Sequence, residues 1–224
     1  GVRDLDFKIL NELPDQDLVS VCKTNKQASI LCDDQNFWLN RIMIKFPYLG
    51  LGVLKNYKQG RSWSQYYIED LRTITPSNAP TKLQQASENG RLDQVIIAVN
   101  NGADIHASND YSLIWASENG YIQIVKYLIE QGADIHAYND VSLRWASLNG
   151  HLEVVKYLVE QGADIHAPGP GGINDYSLRS ASGNGHLDVV KYLVEQGANI
   201  HANNDESLRS ASHNVHYEVV EYLR

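Results

Sequence analysis

The hexapeptide Gly-Ala-Asp-Ile-His-Ala stands at 102–107, again at 132–137 and 162–167, and returns as Gly-Ala-Asn-Ile-His-Ala at 197–202. Its spacing is 30, 30 and then 35 residues. A second phrase keeps the same beat: Ala86-Ser-Glu-Asn-Gly90, Ala116-Ser-Glu-Asn-Gly120, Ala146-Ser-Leu-Asn-Gly150, Ala181-Ser-Gly-Asn-Gly185 and Ala211-Ser-His-Asn-Val215. Repetition on this scale marks a solenoid of stacked units, because one unit of this size cannot bury its apolar face alone.

Within a unit, Ser142-Leu-Arg-Trp-Ala-Ser-Leu-Asn149 reads as a short helix, with Asp140 or Ser142 available to cap it and Gly150 to end it. A second helix follows in 151–160. There Leu152, Val155, Leu158 and Val159 fall on one face and Glu153, Lys156 and Glu160 on the other, before Gly162 stops it. The small residues Ala146 and Ser147 let neighbouring units approach closely. The expected class is therefore all-α.

With Asn-Gly-His-Leu-Glu-Val-Val-Lys-Tyr-Leu-Val-Glu-Gln-Gly-Ala-Asp-Ile-His-Ala at 149–167 and its copies on the page, residues 81–224 resemble the ankyrin-repeat family. The resemblance implies an ankyrin helical-repeat solenoid of about five units, the last incomplete. The family's Thr-Pro-Leu-His turn is replaced by Tyr111-Ser-Leu-Ile114, Val141-Ser-Leu-Arg144, Tyr176-Ser-Leu-Arg179 and Glu206-Ser-Leu-Arg209. A period shorter than the usual ~33 residues predicts stunted fingers between units. The period-30 spelling, rich in Asn and Tyr, looks like the ankyrin proteins of giant DNA viruses of amoebae. The last unit stops at Arg224, before its Gly-Ala phrase, either as a degenerate cap or by truncation.

Residues 1–74 read differently. Leu5, Ile9, Leu10 and Leu13 share a helical face, Pro14 breaks it, Asp15 and Asp17 favour the start of the next helix, and Leu18, Val21 and Cys22 continue the apolar stripe. Trp63, Tyr66, Tyr67, Ile68 and Leu71 suggest a further amphipathic helix over 62–74. Ile9-Leu10, Leu13, Asp17-Leu18, Lys26, Phe37-Trp38 and Arg41 follow the spacing of the F-box family, so this part resembles a small helical F-box-like domain. The family's opening Leu-Pro would fall on Gly1-Val2, and its Val-Cys-Lys is Thr24-Asn25-Lys26 here; a chain that begins without Met is consistent with truncation. The resemblance implies docking onto the small adaptor subunit of a cullin-type ubiquitin ligase through Leu5, Ile9, Leu10, Leu18 and Val21. The alternative is a helical cap for the solenoid. Residues 75–80, with two prolines, read as a short semi-rigid linker.

Charge separates the two parts. Residues 1–80 carry a formal +1 and residues 81–224 a formal −9. A surface that acidic repels phosphate, which excludes nucleic acid as a natural ligand. Apolar stretches such as Val95–Val99 fall far short of the ~18 residues of a membrane span, no signal peptide is visible, and a cytoplasmic monomer is expected. Cys22 and Cys32 lack a zinc spacing and read as buried free thiols of a reducing compartment.

No recognised catalytic motif occurs, and neither enzyme activity nor a cofactor or metal is expected. His106, His136, His166 and His201 form a row, but stacked helices lie ~8–10 Å apart, too far for one zinc, so they read as hydrogen-bonding turn residues, as do His151 and His186. Arg144, Arg179 and Arg209 each follow an Asp by four residues and read as local ion pairs with Asp140, Asp175 and Asp205. The insertion Pro168-Gly-Pro-Gly-Gly172 lacks the Lys of a phosphate loop. It is either a solvated detour or a lengthened finger beside the binding face.

The positions that vary while the frame stays constant are the functional clue. They include Ser108 and Tyr138 at the fingers, Tyr111, Val141 and Tyr176 beside them, and Glu118, Leu148 and Gly183 on the first helices, with Trp115 and Trp145 as either packing residues or interface anchors. In the ankyrin family these positions line the concave face. The expectation is a protein-binding adaptor: the N-terminal part recruits a host ligase while the repeats capture a target. The alternative is a plain scaffold.

Overall fold

The computed structural model describes residues 8–224; Leu5 lies outside them. Among the described residues every regular element is helical. The chain divides into two compact units, one holding the residues up to Lys82 with Asp93–Ala103, the other Leu83–Leu92 with Asp104–Arg224.

In the first unit, residues 8–12 are helical and are followed by helices Asp15–Thr24, Lys26–Cys32, Gln35–Lys45, Leu51–Lys58 and Trp63–Glu69. Pro14 precedes the helix that Asp15 and Asp17 open, where their negative charge faces the free amides. Ser62 starts the 63–69 helix through a reciprocal capping box with Gln65. The core is aromatic: Phe37, Tyr66 and Tyr67 are buried with Leu18, Ile42, Leu54 and Leu71. The buried Tyr66 hydroxyl donates to Asp93 at 2.5 Å.

The cysteines overturn the free-thiol expectation. Asn25 is extended and ends the Asp15–Thr24 helix, so the next helix runs back past it and brings Cys22 and Cys32 to a Cα separation of 5.9 Å, where they form a disulfide. With both cysteines paired, no free thiol among the described residues points to a reducing compartment. Spacing alone hid this, since ten residues along two helices return close to their start.

The second unit repeats one motif. First helices Tyr111–Glu118, Ala137–Leu148, Tyr176–Gly183 and Ala202–His213 pack side by side, and second helices Ile122–Glu130, Leu152–Glu160, Leu187–Glu195 and Tyr217–Tyr222 do the same. Ala116, Ala146, Ala181 and Ala211 are wholly buried where the first helices meet, as small residues allow. In the second helix of the middle unit Val154, Val155 and Leu158 are buried, while Leu152 and Val159 stay half-buried.

The fingers are as short as the period implies. Ser108-Asn109-Asp110, Tyr138-Asn139-Asp140 and Asn203-Asn204-Asp205 each form a turn with three consecutive φ values between 50° and 60°. A left-handed residue other than glycine costs about 1–2 kcal/mol, and Asn and Asp bear it best. The Asn-Asp spelling of the fingers follows from that geometry.

Asp110, Asp140 and Asp175 link successive units. Asp140 does not cap its helix; its Oδ1 accepts from His136 Nδ1 at 3.0 Å and from the Asp164 amide of the next unit at 2.9 Å. Asp110 does this with His106 and Asp134, and Asp175 with His166 and Asn199. The histidines are therefore turn residues, each held by its own aspartate. The side chains of Asp104, Asp134, Asp164 and Asn199 accept the amide two residues on, which only needs an oxygen, so Asn199 substitutes for Asp without loss.

Candidate protein-interaction groove

Four of the positions singled out by their variation come together on the first helices. Val141, Trp145 and Leu148 from the Ala137–Leu148 helix face Tyr176 of the Tyr176–Gly183 helix across a groove of about 360 Å³, with Arg144, Pro170 and Ser180 completing its walls. A shallower depression of about 160 Å³ adjoins it, shared by Leu148, Tyr176 and Gly183 with Arg179, Ser210 and Asn214. Trp145 is 38% exposed, a large apolar surface in an open groove, as an interface anchor requires.

The five-residue insertion is a wall of this groove. Pro170 lines it, and a side chain on Gly169 would overlap the Tyr176 ring, so the loop lies directly on that ring. Pro168, Pro170, Gly171 and Gly172 are exposed, so the loop is solvated along its outer side while Pro170 borders the groove.

Tyr138 stands beside the groove at the tip of its turn. It is 52% exposed and left-handed at φ 50°, a conformation that suits neither its bulk nor its apolar ring. The remaining positions lie elsewhere. Ser108 is exposed in its turn; Tyr111 is 40% exposed and packs edge-on against Trp115 at 5.8 Å, which leaves Trp115 half-buried. Glu118 is tied by its carbonyl, which accepts from His151 at 2.8 Å and from Asn149 at 3.0 Å.

The arginine row corrects the expected pairing with Asp140, Asp175 and Asp205, because those carboxylates are already held by histidines. Arg179 instead reaches Glu206 of the next unit at 3.1 Å, and Arg209 pairs with the same Glu206. Hydrogen bonds from Arg209 and Arg179 hold the Glu206 carboxyl below its ordinary value. Among the described residues Arg144 has no such acid within ion-pair distance. Its guanidinium lies 5.7 Å from the centre of the Tyr176 ring, which Arg179 also flanks at 5.3 Å. Burial pushes the Arg144 guanidinium down, while Tyr176 and Asp140 act the other way. Arg144, Pro170 and Ser180 are the groove residues that variation between copies did not single out. The His-x-x-x-Asp spacing at 136–140 was the available sign that Asp140 is engaged.

In the first unit, Leu18 is wholly buried and holds the bundle together, whereas Leu10, 6% exposed, also lines a cleft. Ile9 is 50% exposed and Val21 half-buried; with Leu10, Leu13, Asn25, Ala28 and Leu31 they line this mainly apolar cleft of about 300 Å³. Among the described residues no group of His, Cys, Asp and Glu could hold a metal ion, and no helix is long and apolar enough to cross a membrane.

No curated protein matches the chain. Residues 77–169 match the family described as ankyrin repeats (3 copies), and residues 178–224 the family described as ankyrin repeats (many copies). Ankyrin repeats are protein-interaction modules and are typically not enzymes. Stacked first helices, aromatic and arginine side chains in the groove between them, and these two matches lead to one conclusion: through residues 77–169 and 178–224 the chain belongs to the ankyrin-repeat family.

Proposed function

We propose that the chain is a monomeric adaptor whose repeats bind a target protein in the Trp145–Tyr176 groove and whose N-terminal unit docks the small adaptor subunit of a cullin-type ubiquitin ligase. The observation that carries the first half is the groove itself, where variable residues from successive units converge with an exposed tryptophan. Support for the second half is the F-box-like spacing together with the apolar cleft at Ile9 and Val21. The likeness of the 30-residue spelling to giant-virus ankyrin proteins is what suggests a host ligase. Burial of Leu18 inside its own unit favours a second reading, in which the N-terminal unit only caps the repeats.

Size-exclusion chromatography with light scattering, using this chain and the purified ligase adaptor subunit, separates the two. A one-to-one complex that Ile9→Asp with Val21→Asp abolishes, at unchanged melting temperature, supports docking. Absence of a complex leaves the scaffold reading. For the recognition face, Tyr138→Ala with Trp145→Ala is expected to weaken target capture by tenfold or more with a smaller effect on the melting temperature, since about half of Tyr138 and more than a third of Trp145 are exposed. Quantitative mass spectrometry of proteins retained by the two forms measures the difference. Equal retention would remove the groove from the interface.

A further inference from the structure

We propose that the groove takes a segment of the target in which a single aspartate or glutamate lies beside a bulky apolar residue, with the carboxylate on Arg144 and the apolar side chain against Trp145. This rests on the reading of the groove as the recognition face and adds the chemistry of what enters it.

Three arginines stand at one place in the repeat, Arg144, Arg179 and Arg209. Arg179 is answered by Glu206 from the following unit, and Arg209 by that same residue. The position that holds Glu206 in the last unit holds Tyr176 in the one before it. Arg144 therefore meets a ring face where Arg179 meets a carboxylate. Asp140 does not substitute for it, being held by His136 and the Asp164 amide. Of the Arg144 donors, Nη2 reaches the Tyr138 carbonyl at 2.8 Å and Nε is buried with no acceptor. A guanidinium in this state, stacked on an aromatic ring and short of acceptors, binds a carboxylate more strongly than one fully hydrated.

The apolar half of the site follows from the other walls. Val141, Trp145, Leu148 and Pro170 leave room for one large side chain next to Arg144. Residues 81–224 carry a formal −9, which repels a uniformly acidic segment at long range. The segment that fits carries one acid in neutral or basic surroundings.

The probes are two acetylated and amidated peptides, Lys-Gly-Ser-Leu-Glu-Phe-Ser-Gly-Lys and its Gln counterpart, titrated into the full ¹⁵N-labelled chain with the Trp145 indole N–H as the reporter, assigned through Trp145→Phe. The Glu peptide is expected to shift that resonance to saturation and to bind about fivefold tighter than the Gln peptide, the size of one half-exposed ion pair. Arg144→Gln is expected to make the two peptides equal, and Arg144→Lys to keep part of the preference. Because the peptide pair alone tests the carboxylate on the unaltered protein, a folding defect in either variant does not obscure the result. Equal binding of both peptides, or no shift from either at millimolar concentration, overturns the proposal. If target capture still depends on Tyr138 and Trp145 in that case, the recognition face stands and only its acidic ligand class falls.

Discussion

Gly120→Ala is expected to destabilise the repeats by about 2–4 kcal/mol, from the strained conformation and the forced shift of a packed ring together. Gly120 has φ 75°, and a Cβ placed on it would lie 2.5 Å from Nδ1 of His151. That ring belongs to the next unit and cannot swing away freely, because its Nε2 is bound to the Glu118 carbonyl at 2.8 Å. The glycine, the ring and the carbonyl are one joint, repeated where His186 binds the Leu148 carbonyl and His216 that of Gly183. At roughly 2–4 °C per kcal/mol for a chain of this size, the melting temperature should fall by about 5–15 °C. Hydrogen exchange should quicken first around the altered joint, since solenoid units are stabilised by their neighbours. In a His151→Ala background Gly120→Ala should cost less than it does alone, and equal cost in both backgrounds would show that the ring is not what excludes the methyl group. Val215 gives the converse test. It occupies the glycine position of the last unit at φ 64°, a strained setting for a β-branched residue, so Val215→Gly should raise the melting temperature.

These joints explain how much the sequence disclosed. The repeat, the two helices of each unit and the short fingers were legible because the contacts that make them recur every 30 residues, so each copy repeats the others' evidence. What was not legible are choices among partners. Asp140 has Arg144 four residues after it and His136 four before. Spacing treats the two alike, and only the left-handed turn decides for the histidine. The role of Pro170 was hidden for a related reason: an insertion has no copy to compare with, and its course over Tyr176 depends on Gly169 packing on that ring. In the N-terminal unit an apolar stripe says that Leu10 and Leu18 are covered, but not by what; their own bundle covers them. The convergence of Val141, Trp145, Leu148 and Tyr176 could be read because variation against a fixed frame marks residues the frame does not need.

The same bundle supplies the other large effect. Arg41→Met is expected to cost about 3–5 kcal/mol, because it removes the donor from a buried cluster and leaves the acceptors behind. Arg41 is wholly buried. Its guanidinium reaches the carbonyls of Leu10 at 3.0 Å, Asn11 at 2.9 Å and Leu13 at 2.7 Å, the Asp15 carboxylate at 2.5 Å and the Tyr67 hydroxyl at 3.3 Å. It thus fastens the chain around Leu13 to the Gln35–Lys45 helix, and with it part of the apolar cleft. Acid gives the signature of this loss. Burial pushes the Asp15 carboxyl up, but hydrogen bonds from Tyr67 and Arg41 and the charges of Lys45 and Arg41 outweigh it and hold the group below its ordinary value. A carboxyl depressed in the folded state contributes stability that is present above its unfolded value of about 3.9 and is lost as pH falls through the folded one. Without Arg41 burial gains weight, the Asp15 carboxyl rises, and any excess over the unfolded value makes stability fall, not rise, with increasing pH in that window. Urea titrations of both forms between about pH 3 and 7 read the slope. Asp15→Asn added to Arg41→Met should recover part of the loss, since it takes away a partly buried charge left with only Lys45 at 3.8 Å and the Tyr67 hydroxyl. If the double variant is no more stable than Arg41→Met, the three carbonyls and not the carboxylate are what Arg41 holds.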